Sequence, residues 1–343
     1  MSTELEVVFI EGDGIGPEIV RASIEVLDAT GVGIAWKRAL AGTEAIEAEG
    51  HIAPAATIEL VRAANSAIKG PTSTPVGGGS RSANFYVRQQ LELFGGVRRF
   101  VDRSAGIDVV LVRENLEDLY GAIEWSSAPG VSHAVKVSTA AGARRVARLA
   151  FRLAREWKRE RVTIVHKANN LKLTEGLFRE TALEVAAEHP EIACEELLAD
   201  SAAAQLARAP QEVDVMLATN TYGDLLSSVA AAGAGGPAAV STANFGPGGL
   251  VVAEAGHGSA PSLAGTGSAN PLGLLGGGAM LLAARGHGRE AEAIWAAIAS
   301  VREAGVLTPD LGGGATLEEV TAAVVAEVRG RLSPPAQATA GGA

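Results

Sequence analysis

The sequence predicts an α/β fold with much parallel sheet, divided between two domains, and three observations carry that reading. Short β-branched runs alternate with amphipathic stretches over about 300 residues, the pattern of strands joined through crossover helices. A length of 343 residues exceeds what one small core organises. The one loop that invites a Rossmann assignment has the wrong spacing. Its glycines, Gly12, Gly14 and Gly16, leave only Ile15 between the second and third, where the dinucleotide fingerprint needs two residues.

Taken in order, residues 7–10 form the first strand, and the Gly12–Gly16 loop leads into a helix over 18–29. Pro17 suits the first helical turn, so the loop is a turn and helix start and not a nucleotide cradle. Residues 107–112, 161–165 and 213–217 are further strands. Helices are expected over 141–160, whose charges form a solvated face, and over 173–188. The stretch 269–284 is weakly polar but broken by Pro271 and a glycine run, so it is expected to be a buried helix and not a membrane span. Residues 333–343 carry no charge and read as a disordered tail. No internal repeat is visible.

Composition excludes several classes. A net charge of −10 and a pI of about 5.2 argue against nucleic acid, which needs a basic face. Glu4 and Glu6 precede only four apolar residues, which is no signal peptide. Cys194 is the single cysteine, so there is no intrachain disulfide and no cysteine metal cluster. It is expected to be a reduced, buried thiol in a cytoplasmic protein.

Chemistry concentrates in an arginine cluster, Arg81, Arg88, Arg98 and Arg113, beside the Pro-Gly loop of residues 70–79. Guanidinium matches a carboxylate two bonds at a time, and an acidic chain that gathers such groups is building a pocket for a small polyanion. Four more segments bear on it. Arg113-Glu-Asn-Leu-Glu-Asp-Leu-Tyr120 ends a strand, as do His166-Lys167-Ala-Asn169 and Asn220-Thr-Tyr-Gly-Asp224. The fourth, residues 254–265, is glycine-rich, contains His257 and leads to Asn270-Pro271.

In this order the segments resemble the β-decarboxylating dehydrogenases, the family of isocitrate, isopropylmalate and homoisocitrate dehydrogenases. The likeness runs from Gly12 to Gly313 and is greatest to isocitrate dehydrogenase, on the evidence of Lys69-Gly-Pro-Thr-Ser-Thr-Pro and Ser82-Ala-Asn84. The resemblance implies a non-Rossmann fold of two domains, residues 1–98 with 252–343 and residues 99–251, with the active site in the cleft between them. It also implies a homodimer in which Lys167, Asn169 and Asp200 serve the other copy's site.

On the same grounds the reaction is hydride transfer from a 2-hydroxy acid to a nicotinamide, followed by loss of the β-carboxylate. Lys167 would help remove the hydroxyl proton, and Tyr120 would protonate the enol. Such a lysine needs a lowered pKa. Ser82 and Asn84 would bind the distal carboxylate, and Arg88, Arg98 and Arg113 the others. Asp200 and Asp224 match the family's metal aspartates, suited to Mg²⁺ or Mn²⁺.

Cofactor positions implied by the resemblance are Ser73, Thr74 and Glu254 near the nicotinamide, Asn169 at the carboxamide, and His257 and Asn270 at adenine. The loop Gly258-Ser259-Ala260-Pro261-Ser262-Leu263 completes them. Ser262 and Leu263 stand where NAD enzymes carry an acid and NADP enzymes carry lysine and tyrosine; the missing cation and the Asp310-Leu-Gly-Gly segment favour NAD over NADP. The chain departs from the family at Ser228, where a second metal aspartate is usual, and at Gly256, where a larger residue is usual. Two alternatives follow: a dehydrogenase for an isocitrate analogue, such as a phosphono-carboxylate, and a non-catalytic regulatory subunit.

Overall fold

The computed structural model describes residues 4–73 and 83–333. Its strands are β1 (Leu5–Ile10), β2 (Ile34–Arg38), β3 (Ser66–Lys69), β4 (Gly95–Asp102), β5 (Ile107–Glu114), β6 (Glu124–Ala128), β7 (Val131–Ala134), β8 (Arg161–His166), β9 (Ala193–Leu198), β10 (Val215–Ala218), β11 (Ser241–Phe245) and β12 (Val251–Glu254). The helices are α1 (Gly16–Asp28), α2 (Thr43–Glu49), α3 (Ala55–Ala64), α4 (Ala83–Gln90), α5 (Ala140–Glu156), α6 (Thr174–Ala186), α7 (Ala199–Arg208), α8 (Asn220–Gly233), α9 (Leu272–Ala284), α10 (Gly288–Glu303) and α11 (Leu317–Leu332).

Ten strands form one mixed sheet in the order β2-β1-β3-β12-β11-β4-β5-β10-β8-β9. Both wings are parallel; the centre is antiparallel, because β11 and β4 run against their neighbours. A separate exposed hairpin pairs β6 with β7. Strand β5 shows how the sheet divides the interior: Val110 and Val112 join the core under α5, while Val109 and Leu111 join the one under α8. That alternation follows from the two-residue period of a strand. Both faces of the central strands are therefore covered, as parallel sheet requires.

Helix α1 starts at Gly16 with Pro17 in its first turn, as expected. Gly14 takes a positive φ of 61°, and a side chain there would collide with the Ser259 carbonyl, so the loop is a packing turn. Helix α9 is buried on nearly every side, so it packs between other elements and shows no polar face. Among the described residues no helix is long and apolar enough to cross a membrane. Helix α5 is shorter than expected. It stops before Trp157 because Lys158 adopts a positive φ and turns the chain into β8. Cys194 corrects a second expectation: it is exposed, because β9 is the last strand of the sheet and no further strand pairs with it among the described residues.

Candidate active site

The chemistry-bearing side chains gather at the C-terminal ends of the parallel strands, where open α/β sheets place their sites. Lys69 ends β3 and Glu254 ends β12, and the parallel register sets them side by side. Both are buried. Lys69 Nζ donates to Asn84 Oδ1 at 2.7 Å and to the Gly70 carbonyl at 2.9 Å, and lies 3.9 Å from Glu254. Arg88, from α4, pairs directly with Glu254. Burial alone would raise the Glu254 pKa, but Arg88 and Lys69 outweigh it and hold the carboxyl at about 2. Burial pushes the Lys69 ammonium the other way, below the usual lysine range. One donor stays free: Arg88 Nε is buried with no partner among the described residues.

A second group lies across the central strands. Arg113, near the end of β5, is buried, and both Nε and Nη2 donate to Asn220 Oδ1 at 3.0 and 2.6 Å. Its Nη1 pairs with Asp224. Helix α8 can pass so close because residue 223 is glycine; a Cβ there would meet Arg113 Cγ at 2.6 Å. Arg98, on β4, approaches the same Asp224 oxygen at 3.6 Å, and Tyr120 Oη donates to the other at 2.6 Å. Burial, then Arg113 and Arg88, bring the Arg98 pKa down to about 10. Burial and the Asp224 contact raise that of Tyr120, so its phenol stays protonated at neutral pH.

Lys167 stands apart from both groups. Its Nζ lies 2.6 Å from Asp200 Oδ1, and Asp200 is mostly solvent-exposed. The two aspartates expected to share a cation are thus engaged separately, Asp224 by Arg113 and Tyr120, Asp200 by Lys167. Among the described residues no group of three or more His, Cys, Asp or Glu side chains could hold a metal. The described residues of one chain do not by themselves assemble a site for the cation. The reason is physical: Asp224 already accepts from two strong donors, and one turn on Ser228 brings a hydroxyl instead of a carboxylate.

The two departures face one another. Ser228 and Gly256 line a cavity of about 60 Å³, with Arg98 and Thr242 also in its wall. That is several times the ~10–15 Å³ such a cavity needs to admit one water molecule. A Cβ at Gly256 would meet Thr242 Oγ1 at 2.9 Å, so any larger residue there would reduce the space.

The cofactor candidates form a second locus, against the Gly12–Gly16 loop. Ser73 bonds Ser259 through their hydroxyls at 2.8 Å, and the Ser259 carbonyl accepts from Ile15 N–H at 2.9 Å. Ala260 adopts a left-handed φ, and Ser262 and Leu263 sit in the exposed short turn that follows. His257 Nδ1 bonds the Gly258 carbonyl at 2.8 Å, while its Nε2 is buried with no partner among the described residues. Burial pulls the His257 pKa down, which keeps the ring neutral. Asn270 is buried and donates to Asp310 at 2.9 Å. An orphaned neutral ring nitrogen in a glycine-rich loop fits a nucleotide base. Asn169 is exposed and lies with Lys167, away from this loop. Thr74, Arg81 and Ser82 lie outside the described residues.

Sequence reasoning missed Asp13 and assigned Lys69 no role. Asp13 accepts from the backbone N–H groups of Thr43 and Ser73 at 2.8 and 2.6 Å, and so fixes the start of the loop at 70–73. The available signal was an acid placed between two glycines. For Lys69 it was a lone cation ending an apolar strand.

A mixed-sheet α/β scaffold with arginines, a tyrosine and a glycine-rich loop at its strand ends is that of a non-Rossmann oxidoreductase. Comparison with known proteins agrees: the family described as isocitrate/isopropylmalate dehydrogenase matches residues 6–328. Isocitrate dehydrogenase [NAD] catalytic subunit 5, mitochondrial, of Arabidopsis thaliana is 37% identical over 330 residues, 94% of this chain and 88% of that protein. The isocitrate/homoisocitrate dehydrogenase of Thermus thermophilus is 38% identical over 326 residues, 93% of this chain and 97% of that protein. The crystal structure of isocitrate dehydrogenase from Methylococcus capsulatus superposes with a TM-score of 0.87 at 39% identity, covering 94% of this chain and 99% of that one. The chain belongs to the isocitrate/isopropylmalate dehydrogenase family, and it is an enzyme.

Proposed function

We propose that the protein oxidatively decarboxylates isocitrate, or a close 2-hydroxy polyacid, with NAD as hydride acceptor. The observation that carries this reading is the convergence of Arg98, Arg113 and Tyr120 on one half-exposed carboxylate, Asp224. Such a site holds more cation than it neutralises, which suits a small polyanion. The proposed site is the cleft between residues 1–98 with 252–343 and residues 99–251.

Ser73 and Glu254 would hold the nicotinamide end of the cofactor and His257 and Asn270 its adenine, with Ser259 in the loop between them. The cofactor would supply the acceptor for the hydride lost from the hydroxyl-bearing carbon. Lys167 of a second copy, released from Asp200 and acting as the free amine, takes the hydroxyl proton, and loss of that proton and of the hydride leaves a ketone. Arg98 and Arg113 hold the carboxylates and stabilise the negative charge that develops as the C–C bond to CO₂ breaks. That electron pair forms the enolate, and Tyr120 supplies the proton that quenches it. No step is assigned to a metal, because one chain does not assemble a site; Mg²⁺ or Mn²⁺ would need Asp200 of a second copy beside Asp224. The exposure of Asp200 and Asn169 supports a homodimer with shared sites.

The test is absorbance at the nicotinamide band with NAD and NADP, each against isocitrate with and without Mn²⁺. NAD reduction with CO₂ release is expected. A folded protein inert with both cofactors would overturn the reading and favour a regulatory subunit. The cavity between Ser228 and Gly256 favours a second reading, in which the substrate carries a bulkier group than isocitrate at the Arg98 position. A substrate panel that includes phosphono-carboxylates decides between them.

A further inference from the structure

The turn that carries Tyr120 and the strand end that carries Lys167 have no hydrogen bond to each other among the described residues, yet both are tied to one side chain. Lys136 lies between β7 and α5. Its Nζ contacts Asp118 Oδ1 at 2.5 Å and Glu175 Oε1 at 2.8 Å, and it sits over the Tyr222 ring, 5.1 Å from its centre. Asp118 and Glu175 are both buried. Two carboxylates therefore face one ammonium in a space largely closed to water.

Each carboxylate also accepts from the backbone of a functional segment, and Glu175 Oε1 has a further, long contact with the Thr219 hydroxyl at 3.4 Å. Asp118 opens the short turn Asp118–Gly121 with a φ of 71°, unusual for a residue that is not glycine. Its Oδ1 also accepts from Leu119 N–H at 2.8 Å and its Oδ2 from Thr221 N–H at 2.8 Å. The first bond lies inside the Tyr120 turn, and the second is in the opening turn of α8, which carries Asp224. On the other side, Glu175 Oε2 accepts from the backbone N–H of Lys167 at 3.0 Å. Burial opposes the charge on Lys136, but its bonds to Asp118 and Glu175 prevail and keep the ammonium.

We propose that Lys136 is a positioning residue, a strap that fixes the Tyr120 turn and the Lys167 strand end with one cation. This rests on the proton-transfer roles proposed above for Tyr120 and Lys167. Without the ammonium, two buried carboxylates would repel one another, and both segments would shift together. In a dimer that shares its sites, Tyr120 and Lys167 work in different sites, so the strap would join the two.

The experiment uses the full chain with Lys136→Met, and Lys136→Gln if the first does not fold. Amide hydrogen exchange is read in peptides covering 118–121, 219–222 and 166–170, with β1 and β3 as internal reference. Exchange in all three segments should rise by at least about tenfold while the reference stays fixed. The kcat should fall by about hundredfold with KM changed less than about threefold, the signature of misplaced groups and not of lost binding. Lys136→Arg should recover most of it. In a Tyr120→Phe background the further loss from Lys136→Met should shrink, because the part of it that runs through Tyr120 is already gone. Faster exchange in only one segment, a loss carried by KM, or independent effects of Lys136 and Tyr120 would each overturn the proposal. If the unsubstituted protein oxidises no hydroxy acid, the proposed reaction fails instead, and the exchange data still decide whether the strap exists.

Discussion

The two halves of the candidate site are built from the same parts and behave differently. Each sets two cations against one carboxylate: Lys69 and Arg88 on Glu254, Arg98 and Arg113 on Asp224. The Glu254 side chain is 4% exposed and the Asp224 side chain 39%. Glu254 and Lys69 are closed to solvent and Arg88 nearly so, and the charges of this first group are matched chiefly within it. The second opens to solvent, and its arginines can exchange Asp224 for the carboxylate of a ligand. Exposure of the carboxylate, not composition, separates the closed half from the half proposed to face the substrate. Arg88 joins them, since its Nη2 belongs to Glu254 while its Nε has no partner among the described residues.

The largest expected effect breaks the open half alone. Tyr120→Phe removes the proton proposed for the enol, and kcat should fall by roughly 10²–10⁴, the range for one acid–base group. Tyr120 is 40% exposed, so unfolding in urea should change by less than about 0.5 kcal/mol. An equal loss of stability and activity would erase the distinction between the halves.

Breaking the closed half should do the reverse, with stability the first casualty. Glu254→Gln leaves the buried Lys69 and the partly buried Arg88 without an anion, a change expected to cost about 3–5 kcal/mol in urea unfolding. The pH dependence sharpens the same point. The Glu254 pKa is depressed from 4.5 to about 2, so its stabilising contribution is present above pH 4.5 and is lost as pH falls towards 2. That shift corresponds to about 3 kcal/mol. The acid limb of the wild-type stability curve should therefore be steeper than that of Glu254→Gln between those two pH values. Parallel curves would show that another carboxyl sets the limb.

Much of the open half was legible because chemistry at parallel strand ends announces itself. Arg113 and Lys167 each follow an apolar run, and Asp224 and Tyr120 keep fixed distances from such runs. The closed half was harder to read. Lys69 looks like a surface charge closing a strand, and only the β3–β12 register shows that it faces Glu254. Residues 118, 136 and 175 form one network only after the chain folds, and nothing in their spacing links them. Cys194 misled for another reason. A lone cysteine is most often buried, but strand order put β9 at an edge, and strand order is a property of the whole topology.

The smallest expected effect concerns the residue that leaves the open half short of charge. Asp224 and Ser228 lie one helical turn apart on α8 and so share a face. Ser228 Oγ makes only a weak contact, 3.4 Å, with the Asp224 carbonyl, and so little holds it in place. Ser228→Asp would place a second carboxylate beside the first and in reach of Arg98, at the mouth of the cavity shared with Gly256. Mn²⁺ affinity, read by calorimetry without substrate, should rise by about tenfold, since ligand charge is a main control on the affinity of such sites. The Asp224 carboxylate would then be less completely claimed by Arg113 and Tyr120, because the new charge offers the arginines another partner. Unchanged Mn²⁺ binding would mean that the arginines neutralise both carboxylates. In that case the open half is an anion site first, and a cation can enter it only with a substrate that brings its own negative charge.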